Sequence, residues 1–474
     1  YQSTCANKNR LEAEYADCKK KLMIAKQLIS NLGGEKGRWD ELAKKLAVFY
    51  TNLSGDVLIS AGMIAYLGAF TSAYRNEISA EWVAKCLHHK IPSSESFSLQ
   101  RVLGNPVKIR SWNINGLPSD SFSVENAIII DNARRWPLCI DPQNQANKWI
   151  KKSYANSNLS VVKLSDSDYL RTIEISIQFG SIVVLENVGE ELDPGLEPIL
   201  LKQTYGKGQT QYIKLSQEIE FNKNFKLFIT TKWRNPHYLP EVSTKLTLLN
   251  FMITFEGLND QLLGILVKTE RPELEAEKEK LIIDGASNKK ELQEIEDKIL
   301  DVLSNSQNIL DDESAIDVLT EAKNKSNLIG ERQAAADLTE RTIDETRMSY
   351  QEVSREASCL FFVIADLGNI DPMYQYSLSY YIDLFTQAIS NSQPNDELAR
   401  RLDNLRSYFR SSLYNNICRS LFEKDKLLFS FLLTCRLAQF RGELDEQRWR
   451  FLLTGGLSLG EVLPPVPEHA QWIT

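Results

Sequence analysis

Apolar positions at Leu11, Tyr15, Cys18, Leu22, Ala25, Ile29 and Leu32 recur at spacings of 4-3-4-3-4-3, with mostly charged or polar residues between them. A sustained period of 3.5 residues predicts a coiled-coil seam. An amphipathic helix laid on a globular core is the alternative, and the small seam residues Cys18 and Ala25 favour the coiled coil. "NLGGEKGRW" (31–39) interrupts the pattern, and no partner strand follows nearby. Residues 39–90 then read as helices, from "WDELAKKLAVFY" and "GDVLISAGMIAYLGAFTSAYRNEI".

The grammar changes between about 97 and 255. "AIIID", "WPLCID", "LSVVKLS", "SIVVLEN" and "FKLFITT" are short, β-branched apolar runs, with helical stretches such as "DYLRTIEISIQFG" between some of them. This alternation predicts an α/β fold, a mostly parallel sheet covered by helices. Beyond 256 the strands stop. A long charged helix follows, with Pro272 suited to its first turn and an apolar stripe at Leu292, Ile295, Ile299 and Val302. A turn at Ser304–Asp311 and a second polar helix at about 313–350, capped by Asp312, complete a helical hairpin. Its arms are too polar to be buried along their length. Apolar helices return at 351–454, and the tail "GEVLPPVPEHAQWIT" reads as a Pro-rich loop.

Length and charge narrow the field. A chain of 474 residues exceeds one hydrophobic core, so two to four domains are expected. A net charge of -8 carries no general nucleic-acid footprint. No apolar run approaches the roughly 18 residues needed to cross a bilayer. The chain opens at Tyr1 directly into the heptad, which suggests a piece of something larger whose targeting signals could lie elsewhere. Seven cysteines without a C-x-x-C pair suggest reduced thiols. "CLHH" (86–89) holds three possible metal ligands, but a fourth would have to come from afar, so an ordinary helix end is the better reading and no metal is expected.

Candidate chemistry centres on "WPLCIDPQNQANKWIKK" (136–152), which reads as strand, loop and helix with a Lys near the helix start. That is the layout of a phosphate-binding loop, G-x-x-x-x-G-K-[ST], whose glycines let backbone N–H groups curl around phosphate. On that frame only Lys148 survives. Pro142 and Asn147 stand at the glycine positions and Trp149 at the hydroxyl position. The acidic strand of such a site ends here in Glu186 and Asn187, and Asn187 cannot act as a general base. Thr230 or Thr231 ends a later strand, where AAA+ ATPases carry a polar γ-phosphate sensor. The order of elements is that of an AAA+ module whose chemistry has been lost, and no catalytic residue is expected. "GLSLG" (456–460) matches the G-x-S-x-G nucleophile elbow, but it follows a helix, runs into prolines and has only His469 downstream.

Several long, ordered motifs carry a resemblance: "LGGEKGRW", "NLSGDVLISAGMIAYLGAFT", "WPLCIDPQNQANKWIKK", "VLENVGEELDP", "ITTKWRNPHYLPEV", "NFMITFEGLNDQLLGILVKTERPELE" and "NICRSLFEKDKLLFSFLL" through "RFLLTGG". Together they resemble the dynein heavy chain around its fifth AAA+ module, most closely the single-headed inner-arm axonemal type. The resemblance implies a returning stalk helix at 1–38 and the large subdomain of the module at 39–256, with a degenerate nucleotide site. It further implies a strut hairpin at 257–350, with Ile309 and Leu310 at its tip, and a helical small subdomain at 351–474. The whole heavy chain would be an ATP-driven, minus-end-directed microtubule motor of cilia and flagella. The segment itself would not hydrolyse ATP and would couple ring motion to the stalk. No cofactor is implied here, with ATP and Mg in other modules. Implied partners are neighbouring AAA+ modules and the stalk, the microtubule through the stalk tip, dynein intermediate and light chains and axonemal proteins, with no nucleic acid and no membrane. An active ATPase module and a static coiled-coil scaffold are the alternatives.

Overall fold

A computed structural model describes residues 2–207, 210–215, 217–305 and 313–455. The chain divides into two compact units, Tyr1–Gly257 with Arg271–Thr346, and Leu258–Glu270 with Arg347–Thr474.

The first unit opens with α1 (Gln2–Gly62), which passes into a π turn at Met63–Leu67, then α2 (Ser72–His88), α3 (Leu99–Leu103), α4 (Pro106–Ile114) and α5 (Ser121–Asn132). The α/β part follows: β1 (Pro137–Ile140), α6 (Gln145–Ser153), β2 (Leu159–Lys163), α7 (Tyr169–Phe179), β3 (Ile182–Glu186) and α8 (Glu197–Leu200). It continues through β4 (Thr204–Lys207), β5 (Thr210–Lys214), β6 (Glu218–Glu220), β7 (Lys226–Thr231), α9 (Pro240–Ser243) and β8 (Thr247–Asn250). α10 (Phe255–Glu270) leads into the second unit, and α11 (Pro272–Asn305) and α12 (Glu313–Met348) form the hairpin.

Five strands make a parallel sheet in the order β2-β3-β7-β1-β8, and β4-β5-β6 form a separate antiparallel sheet. The parallel sheet is covered on both faces. Cys139, Val184, Phe228 and Leu249 point into a core shared with α5 and α6. Leu138, Val183, Leu185, Leu227 and Ile229 point into a second core with α7 and α8. Alternate side chains of one strand therefore enter different apolar cores, which is why these strands read as unbroken apolar runs.

Four sequence expectations need correction. "AIIID" is helical, within α5, where Ala127, Ile128 and Ile129 are buried and the Asp120 carboxylate accepts from the Ser123 amide. A fully buried apolar run has no visible period, so pattern alone cannot separate strand from helix. "NLGGEKGRW" does not interrupt α1, which runs through Gly33, Gly34 and Gly37 without a break. Glycine in a helix costs about 1 kcal/mol relative to Ala, which a long helix with no proline can absorb. Trp39–Leu67 is long and apolar enough, by length and composition alone, to cross a membrane. Small and polar residues break its apolar runs, and Met63 and Leu67 sit in the core beneath the sheet. Finally, Leu258–Glu270, expected with the hairpin, groups with the C-terminal helices, because Leu258, Leu262, Leu266 and Val267 bury their apolar face.

Along the seam, Leu11, Tyr15, Cys18 and Leu22 are exposed and Ala25 is half-buried; the side chains of Ile29 and Leu32 lie outside the described residues, as do Ile309, Leu310, Asp312, "GLSLG", His469 and the side chain of Val302. The polar hairpin has one described apolar cluster. Ile295 and Ile299 of α11 meet Ala322 and Ile329 of α12, and Trp39 of α1 packs against them with Leu292. Arg110 of α4 adds an ion pair to Glu340, and Lys278 reaches Asp344 across the hairpin at 2.5 Å.

The second unit is helical: α13 (Gln351–Asp366), α14 (Leu378–Asn391), α15 (Leu398–Ser420), α16 (Glu423–Phe440) and α17 (Glu446–Thr454) join the end of α10. Phe361, Tyr381, Phe385 and Phe409 stack edge-on at its centre. Arg401 clamps Glu270 of α10 at 2.6 Å and also donates to the carbonyls that end α14.

Because the cluster around Trp39 is the main apolar join of hairpin and long helix, Ile329→Ala is expected to weaken it by about 2–4 kcal/mol. Hydrogen exchange should then quicken in α11 and α12 while the strands of the parallel sheet keep their protection. Unchanged exchange in the hairpin would contradict this assignment.

Candidate functional site

In a doubly wound sheet the ligand crevice lies at the carboxyl ends of the strands where strand order reverses. Here that point is β1, flanked by β7 and β8, and the loop after it carries residues 141–144 into α6. In a working site this loop would offer its N–H groups to a phosphate.

The amides are already taken. The carboxylate of Asp141, the residue after β1 and only 1% exposed, accepts from the Gln145 amide at 2.7 Å and the Asn147 amide at 3.0 Å, with the Ala146 amide as a third donor. Asn144 supplies the tight turn with φ 58, a left-handed conformation that Asn tolerates better than most side chains. The Asp141 amide in turn donates to the Thr231 carbonyl at 2.9 Å, tying the loop to β7. A carboxylate thus sits on three successive amides at a helix N-terminus, the place and the charge sign of a phosphate.

Burial pushes the Asp141 carboxyl up to about 6, against the three amides and the charge of Lys148, which act to lower it. At pH 7 the group is therefore ionised.

The other residues expected in the site divide into two groups. Asn147, buried at the second glycine position, donates its side-chain amide to Glu186 at 2.7 Å and to the Thr230 hydroxyl at 3.5 Å. It thereby links the ends of β3 and β7 to α6. Lys151 pairs with the same Glu186 at 2.5 Å. Burial works to raise the Glu186 carboxyl, but the hydrogen bonds from Lys151 and Asn147 and the Lys151 charge hold it below its usual value. Thr230 and Thr231 are both buried at the end of β7, and the Thr231 hydroxyl accepts from the Trp233 amide. Pro142 is half-buried in the loop.

Lys148 and Asn187 are not drawn in. Lys148 is on the exposed side of α6, and Asn187 is exposed with φ 55. Trp149 turns away into the core, 5% exposed, stacked on Phe251 and edge-on to Trp112. A short hydroxyl at this position would face the phosphate, whereas the indole fills the space beneath the sheet.

Sequence reasoning missed Asp141 and Lys151. Asp141 had a signal: an acid at the end of the strand, four residues before the first turn of a helix, is a candidate for its unsatisfied amides. Lys151 had none, because its partner is 35 residues away in sequence and meets it only through the β1–β3 geometry. Among the described residues no group of three or more His, Cys, Asp or Glu could hold a metal ion, Cys86, His88 and His89 included.

Comparison with known proteins now decides the family. The description "ATP-binding dynein motor region" matches residues 110–329, and "Microtubule-binding stalk of dynein motor" matches residues 1–85. The chain belongs to the dynein heavy chain family. Dynein axonemal heavy chain 3 of Mus musculus is 55% identical over 451 residues, 94% of this chain and 11% of that protein. The Homo sapiens heavy chain 3 is 52% identical over 100% of this chain and 12% of its own length, and Homo sapiens dynein axonemal heavy chain 1 is 48% identical over 96% and 11%. The chain thus spans about 11–12% of the length of these relatives. The dynein stalk match falls on α1 and α2, and the motor-region match covers the parallel sheet and the hairpin as far as α12.

A carboxyl whose value is raised on folding binds its proton more tightly in the folded state. Its protonated form therefore favours folding fully below the unfolded value near 3.8, and that contribution is lost as pH rises towards about 6. Relative to Asp141→Asn, the native chain should lose on the order of 3 kcal/mol of stability between pH 4 and 6.5. Paired denaturation midpoints across that range read the difference, and parallel pH profiles for the two proteins would refute it. Trp149→Ala should cost about 3–5 kcal/mol by opening the core beneath the sheet, read as a lowered midpoint of urea denaturation.

Proposed function

We propose that this chain is a non-hydrolysing ring module of an axonemal dynein heavy chain, a minus-end-directed, ATP-driven microtubule motor of cilia and flagella, and that it couples ring motion to the stalk. In this reading residues 1–38, the first part of α1, are the returning stalk helix, 39–256 are the large subdomain of the fifth module, and the hairpin of α11 and α12 within 257–350 is the strut. The second unit is the helical small subdomain. ATP and Mg belong to other modules, the microtubule is met at a stalk tip, and the further partners are intermediate and light chains and axonemal proteins. Family membership and the axonemal names of the relatives support the setting.

One observation carries the non-hydrolysing part. The amides that would cradle a phosphate hold the carboxylate of Asp141, and the acidic and sensor strands are tied together by Asn147. An anionic phosphate entering here would have to displace a buried anion, and Asn187 has no basic oxygen to activate water. The coupling part is supported by Trp39, which joins the long helix to both arms of the hairpin.

Two measurements test the reading. Millimolar MgATP should leave the melting temperature of this chain unchanged, since a ligand bound tightly by the folded state must raise it. Asn187→Glu should still show no hydrolysis; Lys148-dependent turnover by that variant would sink the proposal. In the complete heavy chain, Trp39→Ala with Ile299→Asp should leave basal ATPase within about twofold and remove most of the microtubule stimulation, because a mechanical path is cut while the remote chemistry keeps its barrier. Normal stimulation would show that coupling runs elsewhere.

A further inference from the structure

α11 carries a glycine that neither its caps nor a turn requires. Gly285 is buried within an unbroken helix of 34 residues, where glycine is a poor helix former beside Ala. What it admits is a side chain from outside the hairpin. A Cβ at this position would lie 3.4 Å from Nη2 of Arg110 and 3.7 Å from the Gln333 side-chain amide of α12.

Arg110 projects from α4 and at this one level reaches both arms. Its Nε donates to the Ile282 carbonyl of α11 at 3.5 Å, and its Nη2 lies 3.9 Å from the Glu340 carboxylate of α12. Ile282 and Gly285 are neighbours on one face of α11, at i and i+3. The arms are tied to each other on either side of this contact, by Lys278 with Asp344 at 2.5 Å and by Asn288 with Gln333 at 3.2 Å. The hairpin therefore meets Arg110 as one closed body.

The two sides of the contact differ in how firmly they are held. α4 is seated in the core beneath the sheet. Ile109 is buried there, Trp112 meets Trp149 of α6 edge-on, and the Ile114 carbonyl accepts from Lys152 of α6 at 3.0 Å. The Asn105 side chain caps its start, accepting from the Val107 and Lys108 amides. The Arg110 contacts are long by comparison. The side chains of Arg110 and Glu340 are 26% and 29% exposed, so water and salt compete for both. The apolar cluster around Trp39 is a separate attachment, since Ile295 lies about 15 Å further along α11 than Gly285.

We infer that Arg110 is a polar latch for the hairpin. It holds the closed pair of arms on α4 through one contact to each arm, in a notch that Gly285 leaves open. It releases them without disturbing the seat of α4 or the cluster around Trp39. The latch rests on the coupling reading only for its part in movement, where it decides whether the part of the hairpin near Pro272 travels with α4.

Hydrogen exchange on this chain tests the latch without any motor activity, so its failure would leave the coupling reading standing. Arg110→Gln should speed exchange of the amides at 280–288 and 336–342 by roughly fivefold, with the parallel strands and the 292–299 amides within about twofold of native. Arg110→Lys, which keeps the charge beside Glu340 but lacks the Nε donor, should fall between. Two substitutions at Gly285 supply the sign. Gly285→Ala adds a methyl at ordinary contact distance and a better helix former, so exchange should slow by about threefold. Gly285→Leu is also a better helix former, but its side chain fills the notch and displaces the guanidinium, so exchange should quicken as in Arg110→Gln. Combined with Arg110→Gln, Gly285→Leu should add no further quickening, because the two remove the same contact. Should Arg110→Gln fail to fold, the two Gly285 variants decide. The latch is overturned if Gly285→Leu slows exchange as Gly285→Ala does, if folded Arg110→Gln exchanges like the native chain, or if the sheet quickens as much as the hairpin.

Discussion

The ionised carboxylate of Asp141, seated on the amides of Gln145, Ala146 and Asn147, is the interaction from which the architecture around the sheet's crevice follows. A parallel sheet places its strand ends, a helix N-terminus and a crevice together wherever strand order reverses, and the helix end there must find an anion or an acceptor. Most proteins with this arrangement meet the need with a ligand. In this chain the carboxylate of Asp141 takes that place. Asn147, Glu186, Lys151 and Thr230 can then serve as cross-links between strands.

That closure carries a free-energy cost. Burial raises the Asp141 carboxyl to about 6, so ionisation costs more here than in water. Perturbed groups of this kind gather at functional sites, and here the arrangement is that of a ligand site with the ligand built in.

Packing is uneven within the first unit. The sheet is enclosed by two apolar cores. The hairpin, by contrast, has one small described cluster, and it takes Trp39 from the long helix into that cluster. The long helix is itself seated at Gly55, Gly62 and Gly68, with the π turn between the last two.

The sequence by itself determined the class of each long element and the loss of the phosphate loop. The heptad from Leu11 onward, the hairpin after Pro272 and the strands ending at Glu186 and Thr231 all have local signals, since period and strand-end chemistry depend on neighbours in the chain. It also showed that Pro142, Asn147 and Trp149 stand where a phosphate-binding loop carries two glycines and a hydroxyl. Only the tertiary structure decided what stands in place of the nucleotide. Asp141 becomes an anion on a helix end, Lys151 a partner of Glu186, and Arg75 the cap of a helix eight residues away, because each role depends on atoms brought together by the sheet. The helical state of "AIIID" and the unbroken run of α1 through Gly33 and Gly34 were decided in the same way. Burial on all sides erases the period that would identify a helix, and the roughly 1 kcal/mol that each glycine costs is too small to break a long helix that has no proline.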